Sequence, residues 1–141
     1  MRDIDKIIVH CTATPEGRNV TKKDLYRWHV IEREWSDIGY HYLIDLDGVV
    51  HDCRPVERSG SHCKGHNRKS IGIAYAGGMT KDMKQAKDTR TEEQEMALSY
   101  MLEWLKIQYP KAIIYGHRDF STKECPSFDA KKEYENISNM W

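Results

Sequence analysis

The chain has 141 residues, with 22 Lys and Arg balanced by 22 Asp and Glu, and 39% of its residues are hydrophobic. That length suits a single domain spanning 1–141 with a core that needs no covalent staples, and the balanced charge lacks the positive field that holds nucleic acid by neutralising phosphates. The opening MRDIDKIIVHC carries charges up to a short apolar run, too brief for a signal-peptide core or a membrane span, so the expectation is cytoplasmic synthesis without a signal peptide, with no nucleic acid and no membrane among the partners.

In chain order, KIIVHC (6–11) is a β-branched apolar run that predicts a nearly buried strand, and TATPEGRNV reads as a loop. TKKDLYRWHVIEREW predicts a first helix capped by Thr21, with Leu25, Trp28, Ile31 and Trp35 on its packing face. YHYLIDL and VVHDC flank Asp47–Gly48, the strongest hairpin signal in the chain. Residues 54–70 are polar, glycine-bearing and basic, and predict a long ordered loop of the kind that carries function. IGIAYAGG predicts a strand, and the charged MTKDMKQAKDTR that follows is expected to be the least ordered segment. TEEQEMALSYMLEWLKIQYP has a capping box from Thr91 to Gln94, a stripe of Leu98, Met101, Leu102 and Leu105, and a terminating Pro110. KAIIYGH predicts a last strand and SFDAKKEYENISNMW a final helix begun near Asp129. The sum is an α/β fold, a central mixed sheet of about five strands flanked by about three helices.

Four cysteines occur, Cys11, Cys53, Cys63 and Cys125, without CxxC spacing. Reduced thiols are the default for a chain without an export signal, and a Cys53–Cys63 bridge is the alternative for one that works outside the cell. Near the C-terminus, YGHRDFSTKECPSFD places His117 at the end of the last strand and Cys125 in the turn beyond it, while His10 ends the first strand. Two imidazoles and a thiolate are ligands that zinc favours, and three protein ligands with an open fourth position make a catalytic zinc arrangement. Each residue alone also has a plain structural reading, and spacing does not establish that the three meet.

VHCTAT, DIGYHYLIDLDGVV, GSHCKGHNRKSIGIAYAGG and KECPSFD, in that order through nearly the whole chain, resemble the type-two N-acetylmuramoyl-L-alanine amidases, above all small phage lysozymes of that class, and more distantly the peptidoglycan recognition proteins. The resemblance implies a monomeric hydrolase with one zinc ion per chain, cutting the amide between muramic acid and L-alanine in peptidoglycan. It places the metal ligands at His10, His117 and Cys125 and the catalytic helpers at Tyr40 and Lys123. The cleft wall that would bind substrate falls on His62, Lys64, Gly65 and Asn67. It also implies action on the cell wall after release through a holin-type pore.

Asp119 reads either as a partner of a ligand histidine or as a turn cap. His29, His41 and His51 read as structural, and His66 and Arg68 have no assigned role. The alternative function is a non-catalytic peptidoglycan-binding module on the same fold, which would not need an open metal position. A nucleobase deaminase would require a paired-cysteine PCxxC element and a glutamate after the histidine, and neither is present.

Overall fold

The computed structural model describes residues 2–140. Its strands are β1 (Lys6–Cys11), β2 (Thr14–Pro15), β3 (Tyr42–Ile44), β4 (Val50–Asp52), β5 (Ser70–Tyr75), β6 (Gly78–Met79) and β7 (Ile113–Gly116). Its helices are α1 (Lys22–Tyr26), α2 (Glu92–Gln108), α3 (Ala130–Glu133) and α4 (Glu135–Ser138). Five strands form one sheet in the order β4-β3-β5-β1-β7, and β2 and β6 form a small second one. β1 runs parallel to both neighbours, β5 and β7, while β4 is antiparallel to β3, so the main sheet is mixed as expected.

The alternation of a strand sorts β1 between two cores. Ile7, Val9 and Cys11 point into the larger one, shared with Ile71, Ile73, Leu98, Leu102 and Ile114 beneath α2. Ile8 and His10 point to the opposite face, where α1 brings Leu25 against Leu43 and Ile38. α2 has the predicted capping box, with the Gln94 side chain accepting from Thr91 N–H and the Thr91 hydroxyl accepting from Gln94 N–H. The predicted stripe of Leu98, Met101, Leu102 and Leu105 is buried.

The first helix departs from its predicted face. It is capped at Thr21 by a capping box with Asp24, but from Arg27 to Glu32 it widens into a π-helical turn. Fewer degrees of rotation per residue carry Ile31 outward, where it is 63% exposed, and bring His29 inward beside Trp35 and Tyr40. His29 Nδ1 accepts from Gly39 N–H at 2.9 Å, so the imidazole takes over a backbone donor that the loop would otherwise leave unpaired. The hairpin forms at Asp47–Gly48, with Gly48 at φ +82°, and Asp45 N–H donating to Val49 O closes a three-residue loop.

Residues 54–70 are held by two arginines, Arg54 from within the segment and Arg2 from outside it. Arg54 donates to the carbonyls of Ile38, Ser59 and Asp37 at 2.8 to 3.1 Å. Arg2 donates to those of Val56, Asn67 and Ser70 at 2.9 to 3.2 Å. Backbone acceptors that a β-ladder would have used are thus saturated by guanidinium donors. The charged segment 79–90, expected to be the least ordered, is tied down instead. Met79 pairs with Pro15, Lys87 with Glu16, and Arg90 lies almost completely buried on the Phe128 ring between Asp88 and Glu133. The final helix begins at Asp129 as predicted but breaks at Tyr134 into α3 and α4, which lets Ser138 Oγ accept from Ile114 N–H. All four cysteines are free, so Cys53 and Cys63 are unbridged.

Two buried histidines make the fold acid-sensitive. His41 Nδ1 accepts from Gly72 N–H and its Nε2–H donates to Arg58 O, so the ring is neutral and doubly satisfied. Burial pushes the pKa values of both His29 and His41 down to about 4. In the unfolded chain both bind protons near pH 6.5, so between about 6.5 and 4 the unfolded state holds more protons and stability falls as the pH drops. The melting temperature is expected to be level above pH 7 and to decline steadily from pH 6.5 towards 4; a curve flat through that window would contradict the burial of these rings.

Candidate active site

Parallel pairing creates the site. Val9 stands opposite Gly116, so the next residues, His10 and His117, leave neighbouring strand ends side by side, with ring centroids 4.6 Å apart. Such carboxyl ends of parallel strands are where open α/β sheets bind ligands. Cys125 comes back from the turn beyond β7, and its sulfur accepts from Cys11 N–H at 3.1 Å and lies 3.8 Å from His10 Nδ1. The turn is held by Tyr75 OH donating to Pro126 O at 2.7 Å and Ser127 Oγ donating to Gly78 O at 2.8 Å. One ligand atom each from His10, His117 and Cys125 therefore falls within 4.8 Å of the others, a cluster that could hold a metal ion.

The electrostatics suit a cation. Burial is the main force lowering the pKa of His10, helped by His62, His117 and Lys123, and burial followed by Lys123 lowers that of His117. Both rings are therefore neutral with a lone pair to offer. The neighbouring Cys11 thiol and burial hold Cys125 protonated, so ionising it requires a positive charge at the site.

Around the cluster opens a cavity of about 950 Å³. Tyr40 lines it with its ring centroid 5.2 Å from that of His10, and burial raises the phenol pKa, keeping the proton in place. Lys123 also lines the cavity and is exposed. The 54–70 loop contributes Lys64 and Gly65 at the rim, both exposed, and Asn67. Asn67 Oδ1 already accepts from His62 N–H and Cys63 N–H, so only its amide nitrogen is free to reach a ligand. His62 is buried, with both ring nitrogens bonded to protein groups. Asp119 Oδ2 accepts from Gly116 N–H at 2.8 Å, which makes it the turn cap rather than a histidine partner. His66 stacks on Phe120 at 4.1 Å and joins the two loops that flank the cavity.

Sequence reading missed one wall. Trp28 and Glu32 from the first helix, and Arg33 and Trp35 from the turn after it, line the cavity, whereas the apolar period predicts both tryptophans on the packing face. The π-turn turns that face towards the cleft, and a 3.6-residue period cannot signal it.

The model of the N-acetylmuramoyl-L-alanine amidase family matches residues 1–128. The endolysin of Klebsiella phage KP32 is 38% identical over 135 residues, covering 95% of this chain and 87% of that one. Peptidoglycan-recognition protein SC2 of Drosophila simulans is 30% identical over 140 residues, covering 94% of this chain and 73% of its own length. Among solved structures, the N-acetylmuramoyl-L-alanine amidase LysC from Clostridium intestinale superimposes with a TM-score of 0.79 at 29% identity, covering 96% of this chain and 83% of that one. With a match across most of its length and the cluster at the strand ends, the chain belongs to the N-acetylmuramoyl-L-alanine amidase family.

Proposed function

We propose that the chain is a single zinc amidase domain that hydrolyses the bond between N-acetylmuramic acid and L-alanine of peptidoglycan, in the manner of a phage endolysin. The observation that carries this reading is the convergence of His10, His117 and Cys125 at the floor of an open cleft. The donor set fits the ion: ligands about 2.1 and 2.3 Å from a tetrahedral zinc stand roughly 3.6 Å apart. His10 Nδ1 and Cys125 Sγ are separated by 3.8 Å. When bound there, zinc supplies an acidified water and polarises the scissile carbonyl.

The chain's own groups do the rest. Tyr40, still protonated beside His10, orients the attacking water or the carbonyl through its hydroxyl. The Lys123 ammonium, close enough to depress both ligand histidines, stabilises negative charge developing on the carbonyl oxygen. Lys64, Gly65 and Asn67 form the wall along which the glycan and stem peptide lie. Among the described residues no helix is long and apolar enough to cross a membrane; release through a separate pore is part of the endolysin reading.

Digestion of purified cell walls tests the assignment. Mass spectrometry is expected to find stem peptides with free N-terminal alanine and intact glycan strands. Chelation should abolish release and added zinc should restore it. Cleavage within the glycan or the stem peptide, or activity that survives chelation, would refute the proposal; wall binding without peptide release would favour a recognition module.

A further inference from the structure

Behind the metal cluster lies a chain of groups that substrate does not need to touch. His10 Nε2 is 2.8 Å from His62 Nδ1, and His62 Nε2 is 3.2 Å from Ser70 Oγ. All three residues are buried. The His62 ring stands nearly perpendicular to His10, at 88°, and rests in a cradle cut for it. A Cβ on Gly72 would come within 2.6 to 2.7 Å of that ring, and one on Gly60 within 2.7 Å. Gly72 sits opposite Ile8 on β5, on the same face as His10, so the missing side chain opens the space beside the ligand that His62 fills.

We infer that His62 is a positioning residue for the metal site, accepting the proton of His10 Nε2 so that His10 Nδ1 faces Cys125 with its lone pair free. The inference rests on the zinc reading above and deepens it: His62, which the resemblance assigns to the substrate wall, lines the cavity and also bonds to a ligand histidine.

Two arrangements of the protons satisfy the His10–His62 hydrogen bond. With the proton on His10 Nε2, Nδ1 is a ligand, His62 Nδ1 accepts, and His62 Nε2–H donates to Ser70 Oγ. With the proton on His62 Nδ1, His10 carries its own proton on Nδ1, pointing at Cys125 and unable to ligate. The Ser70 hydroxyl can accept or donate, so it accommodates either state. A ligand histidine ordinarily gives its second N–H to a carboxylate or a carbonyl, and here the acceptor is a neutral imidazole. His62 therefore fixes the ring and selects the ligating tautomer without placing a negative charge beside the metal.

Chelator competition for zinc on the full chain, with His62→Asn and His62→Leu beside the wild type, separates this role from a substrate contact. Asn presents a carbonyl oxygen close to where Nδ1 stands, whereas Leu fills the space without an acceptor. His62→Leu is expected to bind zinc about 10 to 100 times more weakly, and His62→Asn to come within about threefold of the wild type. Nitrogen-15 spectra of the zinc-loaded wild type, which do not depend on any variant folding, should show the proton on His10 Nε2 and an unprotonated His62 Nδ1. Equal zinc affinity for Leu and wild type, Asn as weak as Leu, or a proton on His62 Nδ1 would overturn the inference while leaving the zinc assignment standing. A wild type that takes up no zinc overturns both.

Discussion

Cys125→Ser is expected to release no measurable stem peptide, a fall in kcat/KM of at least about 1,000-fold, equal to about 4 kcal/mol of transition-state stabilisation. Serine keeps the shape of cysteine and can still accept from Cys11 N–H, which donates to the sulfur at 3.1 Å. The loop that carries position 125 is anchored independently through Pro126 and Ser127 to Tyr75 and Gly78. The variant should therefore fold, and its metal-free melting temperature should stay within a few degrees of the wild type. What it loses is the thiolate, because an alkoxide is far harder to form at neutral pH than a metal-bound sulfur anion. Zinc content by metal analysis should drop with activity. Retention of both by Cys125→Ser would remove Cys125 from the ligand set and with it the proposed centre.

Arg90→Ala is expected to destabilise the fold by about 2–3 kcal/mol, the largest effect foreseen for a residue outside the site, through lost packing and lost charge-assisted bonds. The Arg90 side chain is only 2% exposed and its guanidinium lies 3.5 Å from the centre of the Phe128 ring. It donates to Asp88 at 2.8 and 2.9 Å, to Glu133 at 2.8 and 3.0 Å, and to the Tyr134 hydroxyl at 2.7 Å. Burial works against the charge, and the two carboxylates more than offset it, so its pKa stands above the ordinary arginine value. The partner carboxylates are themselves 37% and 44% exposed and recover water when the arginine is removed, which keeps the cost below that of a fully buried pair. Because Phe128 follows Cys125 by three residues, the loss should also loosen the ligand turn. A chemical denaturation midpoint unchanged by Arg90→Ala would show that the network contributes nothing net.

The contrast between these two residues marks how far the sequence could be read. Cys125 stood out because its residue type, beside His117 and in a motif shared with a family, carries its chemistry locally. Arg90 stood in a charged run that suggested a solvated excursion, since no local pattern shows that a guanidinium will meet an aromatic ring 38 positions further on. The same limit applies to the first helix, where the period of apolar residues predicted Ile31 inside and the π-turn placed His29 there. It applies again to His62, which lines the cavity as its motif suggested, but whose two ring nitrogens also bond to His10 and Ser70, contacts no local pattern shows.

The sequence by itself determined the order of the five main-sheet strands and of the helices among them, the buried character of β1, the α2 stripe with its capping box, and the residue types able to bind a metal. These depend on neighbours a few positions apart, where periodicity, caps and turn residues act. Only the tertiary structure decided that His10 and Cys125, 115 positions apart, lie 3.8 Å from each other, and that His62 stands behind the first of them. That outcome follows from the parallel register that sets Val9 beside Gly116 and from Gly72, whose bare Cα leaves room for a second imidazole. Strand pairing between distant segments is a property of the whole sheet, so no stretch of the chain carries it alone.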